Sequence, residues 1–343
     1  VLFSLDPTVD TEVTIKGERL TIYFGPFRPK RARDFFAEEI KWLRQSVLKH
    51  PPDILHAHWT YEYALAAQAT RLPHLITAHD APFNILKHNF IPYRIVRTIM
   101  ACKAIWAARY LSVVSPYVGG HLKKFLFYRR PFRVIPNGMP KAVFNRTKPA
   151  KPIGEPITFA TILTSWSSLK NGVAAIEAFA LVRNSLPDSR LIMFGPGHGQ
   201  NEEAEVWAKA SGIATGIEFR GQTQYNDLMD MLCNEVDILV HPALEEAQPM
   251  SLIEAMCIGI PVIAGHRSGG VPWTLNYGEG GVLVDITQPE QIAKAMLKLA
   301  NDANERNQIG QSGQTLARQR FHISAVTDAY LQAYQDISTG SWT

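Results

Sequence analysis

Along the 343 residues, short runs of β-branched and other apolar side chains alternate with longer stretches whose apolar positions recur at helical spacing. That alternation predicts parallel α/β architecture. In the first half the strands read as Leu20–Tyr23, Ile54–Ala57, His74–Ala78, Leu111–Val114 and Arg133–Ile135, with helices at Ala32–Lys49, Tyr61–Ala69, Tyr93–Ala108 and Tyr117–Phe125. A second series follows, with strands at Ile157–Leu163, Arg190–Phe194, Ile217–Arg220, Ile238–His241, Pro261–Ala264 and Gly281–Val284. Its helices read as Asn171–Ser185, Glu202–Ala210, Asn226–Asn234, Ser251–Ile258 and Pro289–Asp302, and a last helical pattern, Ser324–Ile337, closes the chain. The opening Val1-Leu2-Phe3-Ser4-Leu5 reads as a strand already in progress, so an incomplete N-terminus is expected.

Two doubly wound units follow from this pattern, and the length suits two cores of about 150 to 180 residues each. The expected boundaries are 1–148 and 149–323, with 324–343 as a C-terminal helical segment. Asn137-Gly138-Met139-Pro140 and the Lys/Pro-rich run from Thr147 to Pro156 interrupt the periodicity, and the interdomain linker is expected there. In open parallel sheets ligands bind outside the C-terminal strand ends, so a cleft between the halves is the expected active site. His56-Ala57-His58 and His79-Asp80 stand at such ends.

Composition narrows the class. Apolar residues make up 46% and charged residues 19%, without a long polar run, which describes a folded rather than a disordered chain. Cys102, Cys233 and Cys257 form no CxxC pair, so a reduced, cytoplasmic compartment is expected. No apolar run reaches the roughly 18 residues of a membrane-spanning helix. A net charge of +4 does not by itself imply nucleic acid, and leaves anionic small molecules or a lipid surface open.

The most informative segment runs from His241 to Ala264 as strand, loop, helix, strand, with Pro249 and Ser251 at the helix start and Gly259 and Pro261 at its end. Glu246 lies in the loop and Glu254 eight positions later, about one turn into the helix. Two carboxylates so placed meet different hydroxyl-rich parts of one ligand, while backbone N–H groups around Met250 to Leu252 meet its phosphates. In isolation, a solvated loop charge and a surface helix residue are the simpler readings of the pair.

Context changes that balance. The chain resembles the retaining glycosyltransferases of family 4, also called glycosyl transferases group 1, whose Glu-x7-Glu motif leads into a Glu-Ala-Met-x-x-Gly-x-Pro-Val run; here Glu246-x7-Glu254 precedes Ala255-Met256-Cys257-Ile258-Gly259-Ile260-Pro261-Val262. Asp53 to Trp59, Thr77-Ala78-His79-Asp80, Val113-Val114-Ser115 and Ile135-Pro136-Asn137-Gly138 resemble its N-domain landmarks. Lys170-Asn171, Phe194-Gly195-Pro196-Gly197, Phe219-Arg220-Gly221 and Gly280 to Asp285 resemble those of its C-domain. The resemblance implies the GT-B fold: two Rossmann-like doubly wound parallel-sheet domains facing a deep cleft, with the C-terminal helix packing back toward the N-terminal domain.

It also implies roles. Glu246 would bind hydroxyls of a donor sugar, Glu254 the nucleotide ribose, Lys170 the pyrophosphate, and His79 the sugar near the reacting carbon. Thr164, Ser165, Gly195, Arg220, Gln248, Pro249, Met250, Ser251 and Leu252 complete the expected donor site. His58, Asp80 and Asn137 are expected on the acceptor side. The His56/His58 pair lacks a third ligand at a convincing spacing, and the chain has no Asp-x-Asp, so no metal and no cofactor are expected.

Two positions depart from the family. Where a Gly-Arg pair usually precedes the Lys, this chain has Leu163-Thr164-Ser165-Trp166, so the hydroxyls of Thr164 and Ser165 or another cation must serve the phosphates. Trp273 stands where many relatives carry Glu. The family's N-terminal glycine-rich loop is not in this chain, which places turnover in question beside donor binding.

The run His121 to Arg133 interleaves five cations with four aromatics, a composition that suits peripheral contact with an anionic membrane. Pro131 breaks it, so a solvated helix end and a loop with a buried Phe or two is the preferred expectation. The expected activity is retaining transfer of a hexose from a UDP- or GDP-sugar to a saccharide, lipid-linked or small-molecule acceptor, in cell-surface polysaccharide or glycoconjugate synthesis. A sugar-nucleotide epimerase, a phosphorylase and a non-catalytic sugar-nucleotide-binding relative are the alternatives.

Overall fold

Parallel strands and covering helices form throughout the computed structural model, which describes residues 1–146, 148–149, 151 and 154–343. The chain separates into two compact units, Val1–Ile135 together with Asp328–Thr343, and Pro136–Thr327. Within the expected linker run, Thr147, Ala150, Pro152 and Ile153 lie outside the described residues.

In the first unit, β1 (Leu2–Asp6), β2 (Val13–Lys16) and β3 (Thr21–Pro26) make a small sheet in which β3 pairs parallel with β1 and antiparallel with β2. β2 is four residues long with every side chain exposed, so it carries no core periodicity to read. The helix expected from Ala32 begins at Ala37 instead: α1 is Ala37–Lys49. Arg31–Asp34 form a 3-10 turn, and Phe35 and Phe36 adopt left-handed φ values of 53° and 61°. This break turns Phe36 fully inward, and the Arg31 guanidinium lies 3.4 Å from the Phe27 ring centroid.

The remaining elements alternate: β4 (Leu55–His58), α2 (Glu62–Thr70), β5 (His74–Ala78), α3 (Pro82–His88), α4 (Pro92–Ala107), β6 (Leu111–Val113), α5 (Pro116–Phe125) and β7 (Arg133–Val134). The four strands form a parallel sheet in the order β4-β5-β6-β7. α3 was absent from the periodicity because it is short and half-exposed, with Pro82 at its first turn.

The first helix of the second unit, α6 (Lys141–Phe144), lies between the two segments of the expected linker. Met139, Val143 and Phe144 are buried in its core, and Met139 N–H donates to Phe321 O over 2.7 Å, so the boundary falls at Ile135/Pro136 rather than at 148/149. The linker prolines mark a break in periodicity, whereas the boundary is set by which core takes these apolar side chains.

Its strands and helices are β8 (Thr158–Ile162), α7 (Gly172–Arg183), β9 (Arg190–Phe194), α8 (Glu203–Ala210), β10 (Ile217–Gly221), α9 (Tyr225–Glu235), β11 (Ile238–His241), α10 (Met250–Ile258), β12 (Val262–Gly265), α11 (Val271–Thr274), β13 (Val282–Val284), α12 (Pro289–Asn301) and α13 (Ala303–Phe321). The six strands are parallel in the order β10-β9-β8-β11-β12-β13, the central ones apolar on both faces, with one buried cluster on each side. Strand order reverses between β8 and β11, the topological switch point.

The 19-residue α13 carries little apolar periodicity, because it is largely polar and packs in part through small residues. A Cβ on Gly310 would lie 2.2 Å from Gly259 O, so only glycine allows this approach of α13 to the end of α10. α14 (Ile323–Thr339) follows, and its residues from Asp328 onward belong to the first unit.

Candidate active site

The switch point brings together two loops, one after β8 and one after β11. Leu244 N–H donates to Leu169 O over 2.9 Å, and Asn171, itself left-handed at φ 53°, spans the same gap with its side-chain amide. That amide donates to Pro242 O at 3.1 Å and to Ile286 O at 2.9 Å. The two loops are thereby fixed side by side just before α7 and α10.

Lys170 and Glu246 meet there. Lys170 Nζ donates to Glu246 Oε1 over 2.6 Å, and both side chains are mostly shielded, at 16% and 17% exposure. His241, at the end of β11, places Nε2 3.5 Å from the same oxygen. Burial alone would raise the Glu246 pKa; contact with His241 and Lys170 outweighs it and holds the carboxyl down at about 2. Gly270 N–H donates to Glu246 O over 2.7 Å, which fixes the backbone of the loop.

Pro249 caps α10 at its N-terminus, and Met250, Ser251 and Leu252 form its first turn. First-turn N–H groups have no intrahelical acceptor, so this end favours an anion. Ser251 Oγ lies 3.5 Å from His241 Nδ1. The expected donor contact Gln248 is buried, and its Oε1 accepts from Asn137 N–H over 2.7 Å. Asn137, expected on the acceptor side, thus packs within the second unit, because its backbone amide is tied to the Glu246 loop.

Glu254 is buried, not a surface helix residue. Burial raises its pKa, and the Tyr225 hydroxyl, at the start of α9, opposes that rise. Tyr225 is in turn pushed up to about 12 by burial and by Glu254. Gly195, at φ 111°, closes the end of β9 against β8: a Cβ there would sit 1.8 Å from Leu163 O. Ser165 Oγ lies 3.0 Å from Ser167 Oγ, and Thr164 is exposed. Arg220, near the end of β10, is exposed and pairs with Glu218 at 2.7 Å. Trp273 packs inward, edge-on to Phe321 and 4.3 Å beneath the Arg320 guanidinium, which accounts for an aromatic residue there.

In the first unit, a histidine cluster forms at the ends of β4 and β5. His58 Nδ1 and His79 Nε2 share a hydrogen bond of 2.8 Å, and Trp59, held at φ 71°, sets its ring 5.1 Å from that of His79. His56 bonds Thr77 Oγ1 at 2.6 Å and the Tyr334 hydroxyl at 2.7 Å, which ties α14 to the strand ends. Burial, then the neighbouring histidines, push His56 and His79 down to about 3, and burial lowers His58. Among the described residues no group of three His, Cys, Asp or Glu is arranged to hold a metal.

Asp80 turns into the interior rather than toward an acceptor. It accepts the Tyr61 hydroxyl, and Arg97 stacks 3.5 Å from the Tyr61 ring centroid. Burial raises the Asp80 pKa against the pull of Tyr61, Arg97 and Arg94. His241, Tyr225, Trp59, Tyr61 and Arg97 are not among the site residues expected from the sequence. Only His241 carried a local signal, a histidine at the C-terminal end of a switch-point strand.

The family described as Glycosyl transferases group 1 matches residues 147–316, and that described as Glycosyltransferase Family 4 matches residues 1–142. Two α/β units with a site at the switch point of the second define the GT-B architecture. Sucrose-phosphate synthase from Thermosynechococcus elongatus shares it with a TM-score of 0.81 at 18% identity, over 99% of this chain and 89% of that one. HepE of Anabaena, solved in complex with UDP-glucose, gives a TM-score of 0.69 at 18% identity, over 93% and 86%. The chain belongs to family 4 of the glycosyltransferases. A curated relative, the lipopolysaccharide core biosynthesis glycosyltransferase LpsE of Rhizobium meliloti, is 28% identical over 210 residues, 60% of this chain and 58% of that protein. This chain therefore matches somewhat more than half of that relative's length.

Proposed function

We propose that this protein transfers a hexose, with retention of anomeric configuration and without a metal, from a UDP- or GDP-linked donor to an acceptor hydroxyl in polysaccharide or glycoconjugate synthesis. The observation that carries this reading is the Lys170–Glu246 pair at the switch point, beside the N-terminus of α10. Glu246, ionised at any physiological pH, is an acceptor for sugar hydroxyls. Lys170 is a cation for the diphosphate, and α10 adds its partial positive charge. Glu254, buried one turn further along α10, suits the ribose hydroxyls. HepE, a structural neighbour solved with UDP-glucose, agrees with a donor of this class.

As the bond from the anomeric carbon to the diphosphate breaks, negative charge grows on the leaving oxygen, where Lys170 and the helix terminus stabilise it. The acceptor hydroxyl attacks from the same face, and its proton passes to the departing phosphate oxygen. The protein supplies orientation and electrostatics in place of a nucleophile.

A thermal-shift screen with UDP-, GDP- and ADP-sugars tests donor binding, since a ligand of the folded state raises the melting temperature. Product analysis with the stabilising donor then tests transfer: nucleoside diphosphate and a new glycoside are expected. An isomerised sugar nucleotide, or a requirement for free phosphate, overturns the reading.

A further inference from the structure

Trp59 is held in a conformation that large side chains rarely take. It follows β4 with φ 71°, in the left-handed region, yet its N–H donates to Thr77 O over 2.9 Å and so stays in register with β5. The turn sends its neighbours inward: Thr60 and Tyr61 are 1% and 2% exposed, whereas Trp59 is 42% exposed. An indole kept half in water by a strained backbone costs stability twice, through the strain and through the apolar surface it leaves unburied. Strain of this kind collects at ligand sites.

The ring is firmly backed. Tyr61 stacks beside it at 6.3 Å and 23°, and is itself fixed by Asp80, which accepts its hydroxyl, and by Arg97, 3.5 Å from its centroid. His79 lies 5.1 Å from Trp59, and His58 lies 5.1 Å from His79, so the three rings adjoin in turn. Burial disfavours the charged form of both imidazoles. Their neutral forms have a defined chemistry. His58 Nδ1 and His79 Nε2 share one proton across 2.8 Å, so whichever ring donates, the two remaining nitrogens are one donor and one acceptor. A hydroxyl, or two neighbouring hydroxyls, satisfies such a pair.

An aromatic face next to a matched donor and acceptor suits a ligand that is apolar on one face and hydroxylated at its edge. A pyranose is built that way: its ring C–H bonds, slightly positive, meet the negative face of an indole while its hydroxyls lie at the rim. We propose that Trp59, His58 and His79 form a pyranose subsite, with the sugar's C–H face on the Trp59 ring and its hydroxyls on the histidine pair. That this sugar is the acceptor rests on the transfer reaction proposed above. Lys170, Glu246 and Glu254, assigned to the donor, all belong to the second unit, and the three rings belong to the first.

Saturation-transfer NMR on the full chain, without donor, tests the subsite. The probes are the methyl α-pyranosides of glucose, mannose and galactose, with sorbitol as a hydroxylated chain lacking a ring and uridine as a competing aromatic ligand. Ring C–H protons of at least one pyranoside should be saturated by the wild type, and sorbitol should not. Trp59→Ala, with its fold confirmed by circular dichroism, should weaken binding of that pyranoside by about fivefold or more, and Trp59→Tyr should restore most of it. Glu246→Ala should leave the signal in place; its loss there seats the sugar at the donor site and overturns the proposal. Absence of any saturated pyranoside, equal saturation of sorbitol, uridine saturation that Trp59→Ala removes, or unchanged binding in folded Trp59→Ala overturns it as well. The acceptor role has a separate readout. With a sugar nucleotide that stabilises the protein, the bound pyranoside should be glycosylated, with KM for it raised about fivefold in Trp59→Ala and kcat nearly unchanged; a pyranoside that binds at Trp59 and is not glycosylated overturns that role. If no sugar nucleotide stabilises the protein, the transfer reading fails while the pyranoside signal persists.

Discussion

Lys170 Nζ and Glu246 Oε1 lie 2.6 Å apart although their residues are separated by 76 positions in sequence. The two loops that carry them follow strands β8 and β11, which are neighbours in the sheet because strand order reverses between them. Each side chain limits the freedom of the other, and both stay mostly out of water. The pair forms an anion and a cation presented together, fit for a ligand that carries hydroxyls at one end and phosphates at the other.

Lys170→Ala is expected to lower kcat by about 10²- to 10³-fold, the usual effect of removing one group that stabilises transition-state charge. Glu246→Ala should lose transfer to a similar or greater extent. Release of nucleoside diphosphate from the donor that stabilises the wild type is the readout, with circular dichroism confirming the fold. Wild-type turnover in either variant removes both residues from the site.

Glu246 also sets an acid limit on stability. Its folded pKa, lowered from 4.5 to about 2, means that its ionised form contributes fully above about pH 4.5. That contribution, on the order of 3 kcal/mol at 1.36 kcal/mol per pKa unit, is lost as pH falls through about 2. Urea unfolding at stepped pH should show this loss in the wild type and a flatter profile in Glu246→Gln.

His79 also makes stability fall with falling pH, but because its site disfavours the charged form of the ring rather than favouring it. Its pKa is pushed from 6.5 down to about 3, so the folded ring stays neutral while the unfolded chain binds a proton below about pH 6.5. Stability should therefore decline as pH falls from 6.5 toward 3, and His79→Gln should lessen the decline. NMR of the ring carbons should find His79 neutral at about pH 5, in the range where an ordinary histidine is charged; an imidazolium signal there means that burial does not hold its pKa down.

Gly195→Ala tests the packing beneath the donor site. Its φ of 111° and a Cβ only 1.8 Å from Leu163 O leave the substitution no room without moving β8 or β9. Backbone strain of this kind costs about 1 to 3 kcal/mol, and the clash adds to it. A lowered melting temperature with weaker sugar-nucleotide binding is expected, because Leu163 leads into the loop that holds Lys170. An unchanged melting temperature would mean that the close approach of the two strands is not needed.

The amino-acid sequence by itself determined the α/β class, most of the strands and the segment from His241 to Ala264, because short apolar runs and helix-terminating residues are local signals. It also marked Glu246, Glu254 and Lys170 as candidates, through spacing and resemblance. What it left undetermined was pairing. That Lys170 bonds Glu246, that His241 and Tyr225 stand beside the two carboxylates, and that Asp80 turns inward to Tyr61 follow from strand order and loop packing, which bring distant positions into contact. The helix α13 and the unit boundary at Ile135 were hidden for a related reason: small residues such as Gly310, and apolar ones such as Met139 and Phe144, show their place only when the surface they pack against is present. Tertiary structure also decided that Phe125 and Phe127 face outward, since a phenylalanine beside lysines is equally compatible with burial until the leucines around it have filled the core.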